Sequence, residues 1–155
     1  MMLKISAWGM AVVWIILIFT MSLKEGQDSA QLSQGITHQI VNVLSLIRLN
    51  VDANIFHVLI RKMAHFTMYF LLAIWVISAL LLHHLSFKET LILGFFIVLA
   101  VASIDETIQL FIDGRSGSLV DVMIDMFGAT LGGFLRIYYH VTLNQEGFIK
   151  KRMLL

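Results

Sequence analysis

Of the ten acidic residues in this chain of 155, four lie in surroundings that disfavour charge. Asp105 and Glu106 are adjacent near the end of one apolar run, and Asp121 and Asp125 stand one helical turn apart at the start of the next. An earlier run opens with Lys62, His65 and Tyr69, and Gln109 follows Glu106 by three positions. An ionised side chain at the centre of a bilayer costs about 2.5–3.5 kcal/mol on insertion scales, so such groups mark places where charges pair, hold an ion or react. Carboxylates and an imidazole shielded from bulk water suit proton transfer, which makes His65, Asp105 and Glu106 the candidate catalytic residues. Asp105 or Glu106 could serve as general base or metal ligand, and His65 as acid/base. Lys62 or Arg115 could clamp a phosphate, with Tyr69, Gln109, Asp121 and Asp125 completing a binding surface. Hard cations prefer oxygen ligands, so a divalent cation among Asp105, Asp121 and Asp125 is a further option. The competing explanation is structural: the charges only lock helices together.

Acting together requires a common level and converging faces. At a rise of about 1.5 Å per residue, His65 and Tyr69 sit roughly 3 and 9 Å in from one end of their helix. Asp121 and Asp125 sit at roughly 3 and 9 Å on the last helix, and Gln109, Glu106 and Asp105 at roughly 4 to 10 Å on the helix between. Three helices thus bring polar groups to one layer. Lys62, His65 and Tyr69 share a face, as do Glu106 with Gln109 and Asp105 with Gln109 at i, i+3 and i, i+4. Gly128 and Gly132 continue the stripe begun by Asp121 and Asp125. A GxxxG stripe permits close helix approach, so the acidic face of the last helix is also its packing face.

The elements that must carry these residues follow from composition. Hydrophobic residues make up 59% and charged residues 14%, against a usual half and quarter. Lipid must cover part of so much apolar surface. The expected fold is an all-α membrane protein, a four-transmembrane-helix bundle with an extracytoplasmic amphipathic interfacial helix, forming one domain over 1–155. The spans fall at roughly 7–23, 63–82, 90–112 and 119–141. The first is at the short end for a spanning helix. Its flanks also suit a signal peptide, but Trp8 and Trp14 favour a retained interface-seeking anchor. Between the first two spans, Leu32, Ile36, Ile40, Val43, Leu44 and Ile47 recur at helical spacing opposite Gln31, Gln34, His38, Gln39 and Asn42. This amphipathic segment, 29–48, is too polar to span and would lie along the interface. Short connections at 83–89 and 113–118 make the later spans antiparallel neighbours. The basic tail Lys150-Lys151-Arg152 favours cytoplasmic termini in a multi-pass arrangement, which puts the polar layer near the outer face.

Several function classes fall away. The net charge of +1 gives no case for nucleic acid. With no cysteine, disulfides, thiolate catalysis and Cys-based zinc sites are excluded. No Walker loop, GxSxG or HExxH occurs.

Three stretches resemble a known family. They are Arg61-Lys62-Met63-Ala64-His65-Phe66-Thr67-Met68-Tyr69, then Asp105-Glu106-Thr107-Ile108-Gln109-Leu110-Phe111, and Gly114-Arg115-Ser116-Gly117-Ser118-Leu119-Val120-Asp121 followed by Asp125, Gly128 and Gly132. Their order and spacing resemble the VanZ-like family. Asp125 stands where that family usually has asparagine, and Asp113 where proline commonly precedes the Gly-Arg turn. The resemblance implies a protein of the bacterial cell membrane and envelope, whose namesake is associated with resistance to teicoplanin, a lipid-tailed glycopeptide.

Three readings of function remain open. One is a non-catalytic envelope protein that alters access of a lipoglycopeptide to its target, giving glycopeptide tolerance or envelope maintenance. A second is a membrane enzyme acting on an outer-leaflet lipid or lipid-linked cell-wall precursor through carboxylate/His chemistry. The third, a small transporter with carboxylate proton relays, ranks last, because the inner halves of the spans are almost entirely apolar.

Overall fold

A computed structural model describes residues 2–24, 34–35, 37, 39–42, 46 and 52–153. All regular structure among them is helical. Four continuous helices are α1 (Met2–Ser22), α2 (Ala53–Leu80), α3 (Phe87–Gln109) and α4 (Leu119–Met153). Two segments are long and apolar enough to cross a membrane, Ile55–Leu80 of α2 and Phe87–Gln109, which is α3. The apolar part of α1, Ser6–Ser22, is shorter. The amphipathic helix expected over 29–48 falls largely outside the described residues.

Helix ends differ from the expected ones for identifiable reasons. α2 begins ahead of 63 because nothing in 53–62 breaks a helix, and the Asp52 carbonyl already accepts the Phe56 amide at 3.0 Å. α3 begins at Phe87, set by a capping box at Ser86 and Glu89. The Ser86 hydroxyl accepts the Glu89 amide at 3.3 Å, and the Glu89 carboxylate accepts the Ser86 amide at 2.7 Å. Two of the donors orphaned at a helix start are satisfied in this way. α3 stops at Gln109, and Leu110 to Gly114 make turns, the last residue with φ 74°. Left-handed backbone of this kind favours glycine. α4 runs beyond 141 to Met153, through the polar tail.

The packing departs from that of a water-soluble bundle on its outer surface. The core is small and apolar, centred on Leu72, Ala73, Val76, Val98 and Ala102, while Val12, Val13, Ile16, Phe95, Phe96, Phe127 and Phe134 are exposed. So broad an apolar exterior is a surface for lipid. The most extensive contact is between α2 and α4, with α1 against α2 and α3 against both. Gly128 and Gly132 explain the α2–α4 contact: a Cβ at either would collide with the carbonyl oxygen of Phe66 or Phe70 on α2. The two backbones therefore touch, as a GxxxG seam allows. On the opposite side, the Trp14 indole donates to the Met68 carbonyl at 2.8 Å and ties α1 to α2.

Candidate functional site

The glycine seam has a direct chemical consequence. It holds the first turns of α4 against α2, so Asp121 and Asp125 meet Lys62 and His65. Lys62 Nζ donates to Asp121 Oδ1 at 2.6 Å. One turn deeper, Asp125 Oδ1 lies 3.3 Å from His65 Nδ1, and Glu106 Oε1 of α3 lies 3.8 Å from the same nitrogen. Asp105 completes the group through Tyr69, whose hydroxyl donates to Asp105 Oδ2 at 3.1 Å. One ligand atom each from His65, Asp105, Glu106 and Asp125 lie within 4.8 Å of one another. Asp105, Glu106 and Asp125 are buried, and His65 is partly so.

The cluster is framed by neutral donors and by two arginines. Ser118 donates its backbone N–H to Glu106 Oε2 at 2.8 Å, so the 110–118 loop folds back over the end of α3. Gln109 reaches Glu106 Oε1 at 3.4 Å and accepts from Arg61 at 3.4 Å. Arg115 donates to the Met21 carbonyl at 2.9 Å, fixing the loop to the end of α1, and Ser22 donates to the Asp105 carbonyl at 3.3 Å. Burial, reinforced by Arg61, pulls the Arg115 guanidinium below its ordinary pKa, with Asp105 and Glu106 opposing. A guanidinium nevertheless keeps its charge at physiological pH.

A cavity of about 310 Å³ opens beside the cluster, between α1, α2 and the end of α3. Leu17, Ile18, Met21, Ile60, Ala64 and Met68 supply its apolar lining, and Arg61, His65, Tyr69, Asp105, Gln109 and Arg115 its polar lining. A smaller cavity of about 130 Å³ lies on the other side of His65, lined by His57, Arg61, Lys62, Ser116 and Asp121.

Compared with the sequence expectations, the placement divides. Lys62, His65, Tyr69, Asp105, Glu106, Gln109, Asp121 and Asp125 gather in one region, with Arg115 at the cavity rim. Asp121, expected beside Asp105 and Asp125 around a cation, is instead held by Lys62, and His65 and Glu106 join the other two carboxylates. Gln109 bonds Glu106 and Arg61, while Asp105 turns to Tyr69. Arg61 and Ser22 were not singled out as site residues. The signal for Ser22 is a hydroxyl near the end of an apolar run, and its burial shows only in the structure. The Ser118 contribution is a backbone amide, which leaves no trace in residue type.

The family model described as VanZ/LLP1 matches residues 7–140. The chain belongs to the VanZ/LLP1 family. Searches of curated proteins and of solved structures returned no significant match. The VanZ/LLP1 match takes in every residue of the cluster and both cavities. Together with the two membrane-length helices, it marks a membrane protein.

Proposed function

We propose that this VanZ/LLP1 protein crosses the bacterial cell membrane four times, with cytoplasmic termini. Near the outer face it accepts the anionic head group of an outer-leaflet lipid or lipid-linked cell-wall precursor. The observation that carries the reading is the mixed lining of the larger cavity, with apolar side chains from α1 and α2 beside polar ones that include Arg61 and Arg115. An amphiphile needs such a mixed surface: tail against Leu17, Met21 and Met68, head against the guanidiniums. Arg115 Nε is buried and makes no hydrogen bond to any described residue, and guanidinium forks suit phosphate. His65 at 3.3 and 3.8 Å from two carboxylates could move a proton to or from a bound head group. Turnover would thus use His65 with Asp105 or Glu106.

A second reading, glycopeptide tolerance, is supported by family membership. The two meet if occupying or modifying an outer-leaflet precursor changes what a lipid-tailed glycopeptide can reach. One experiment addresses both. A Gram-positive host expresses wild type or Glu106→Gln at matched membrane levels, with teicoplanin and vancomycin susceptibility and envelope lipid composition measured together. A head-group change that needs Glu106 supports the enzymatic reading, and selective teicoplanin tolerance without one supports binding alone. If neither lipids nor susceptibility respond to wild type, both readings fail.

A further inference from the structure

We infer that His65, Asp105, Glu106 and Asp125 form a binding site for a divalent first-row transition cation, of the manganese or zinc class. The inference needs no substrate; with an ion bound, His65, Asp105 and Glu106 act as ligands instead of proton carriers, while the head-group contacts at Arg61 and Arg115 are untouched.

The donor atoms are already sorted. Asp105 commits Oδ2 to the Tyr69 hydroxyl, and its buried Oδ1 makes no hydrogen bond to any described residue. Glu106 commits Oε2 to the Ser118 amide, leaving Oε1 toward His65. Asp125 has no exposed surface; among the described residues its Oδ1 meets only His65 Nδ1, at 3.3 Å, and its Oδ2 makes no hydrogen bond. A buried carboxylate left in this state is costly. Tyr69 and Ser118 orient two of the ligands, as outer-shell partners do in metal sites.

Charge and size agree. Three carboxylates converge where Lys62 is engaged by Asp121, Arg61 by Gln109 and Arg115 by the Met21 carbonyl, and a divalent ion would offset most of the charge that the more distant guanidiniums leave. At metal–ligand bonds of about 2.0–2.2 Å, trans donors stand about 4.4 Å apart and tetrahedral donors about 3.4 Å. The present spread of up to 4.8 Å therefore closes by a few tenths of an ångström around a six-coordinate ion and by about 1.4 Å in the widest pair around a tetrahedral one. One imidazole among three carboxylates selects the class. Magnesium and calcium favour all-oxygen shells, and copper(I) favours sulfur, whereas manganese and zinc accept this mixture.

The test uses full-length protein in detergent, stripped with chelator, then titrated with Mn²⁺ or Zn²⁺ alone. Wild type should bind one ion per chain, by loss of the free Mn²⁺ signal and by metal analysis after gel filtration, with Mg²⁺ in excess failing to displace it. Asp105→Asn and Asp125→Asn should each weaken binding at least about tenfold, while His84→Asn, in an exposed turn, should not. Should those variants fail to purify as single species, pulsed resonance of Mn²⁺ on wild type still decides, because a coordinated imidazole gives a nitrogen coupling. No stoichiometric binding, displacement by Mg²⁺, absence of nitrogen coupling, or unchanged affinity in both aspartate variants would each overturn the inference. None of these readouts depends on lipid or antibiotic, so failure here is separable from failure of the proposed function.

Discussion

Asp125 and Asp121 are the same residue type one turn apart, yet their surroundings oppose each other. Asp125 is 0% exposed and crowded by Asp105 and Glu106. In chelator, Asp125→Asn should therefore raise unfolding stability by about 1–3 kcal/mol, since it relieves the crowding of carboxylates and an unsatisfied buried oxygen that the one contact to His65 does not offset. Thermal melts in detergent with chelator check the sign, and a loss of stability would show that the carboxylate is already well satisfied. Asp121 is 13% exposed and its partner Lys62 38%. Solvent screening limits such a pair, so Lys62→Ala should cost less than about 1 kcal/mol in the same melt. The sequence made the shared face of Lys62, His65 and Tyr69 visible, because helical spacing alone sets it. It could not assign partners to the two aspartates, since depth along α4 decides that and each spacing rule treats them alike. The Ser118 amide and the Met21 carbonyl stayed hidden because backbone groups are common to every residue.

At the level of helices, the α2–α4 seam positions the whole cluster. Gly132→Val places branched volume against the Phe70 carbonyl. Overpacking of this kind costs about 1–3 kcal/mol, and prying α4 from α2 also carries Asp125 away from His65. Lower melting temperature together with weakened Mn²⁺ binding is the expected pair of outcomes; a lower melting temperature with binding intact would mean the seam does not set the site. Gly114 at φ 74° closes the loop that brings Arg115 and Ser118 over α3. Gly114→Ala should cost about 1–2 kcal/mol, the penalty for a side chain in left-handed backbone, again read by thermal unfolding. The glycine spacing of the seam was legible in the sequence, as were the approximate positions of α2, α3 and α4. Helix ends were less so. The polar first turns of α2 look like connecting chain by composition, and no breaker in 110–112 announces that α3 stops at Gln109.

For the molecule as a whole, the apolar exterior and small core suit lipid on most sides. Four crossings with cytoplasmic termini can be tested cleanly because the chain has no cysteine. In intact cells an impermeant maleimide should label Ser116→Cys in the 110–118 loop and spare His84→Cys in the α2–α3 turn until the membrane is opened. The reverse pattern would place the polar cluster at the cytoplasmic face. Overall class was readable from composition alone, because 59% hydrophobic residues exceed what a chain this size can hide. The cavity was not, since it depends on α1 leaning on α2 through the Trp14 indole and the Met68 carbonyl, a backbone acceptor that residue type does not announce. The touching backbones at Gly128 and Gly132 carry one more implication. Past the cluster, the buried side chains of Leu72, Ala73, Val76, Val98, Ala102 and Ala129 carry no polar atom, and the cavity of about 300 Å³ beside Ala73, Val98 and Ala129 is walled almost wholly by apolar groups. An ion leaving the cluster on that side would find almost no polar group to replace its water, so the protein should sit in a charged membrane without short-circuiting it.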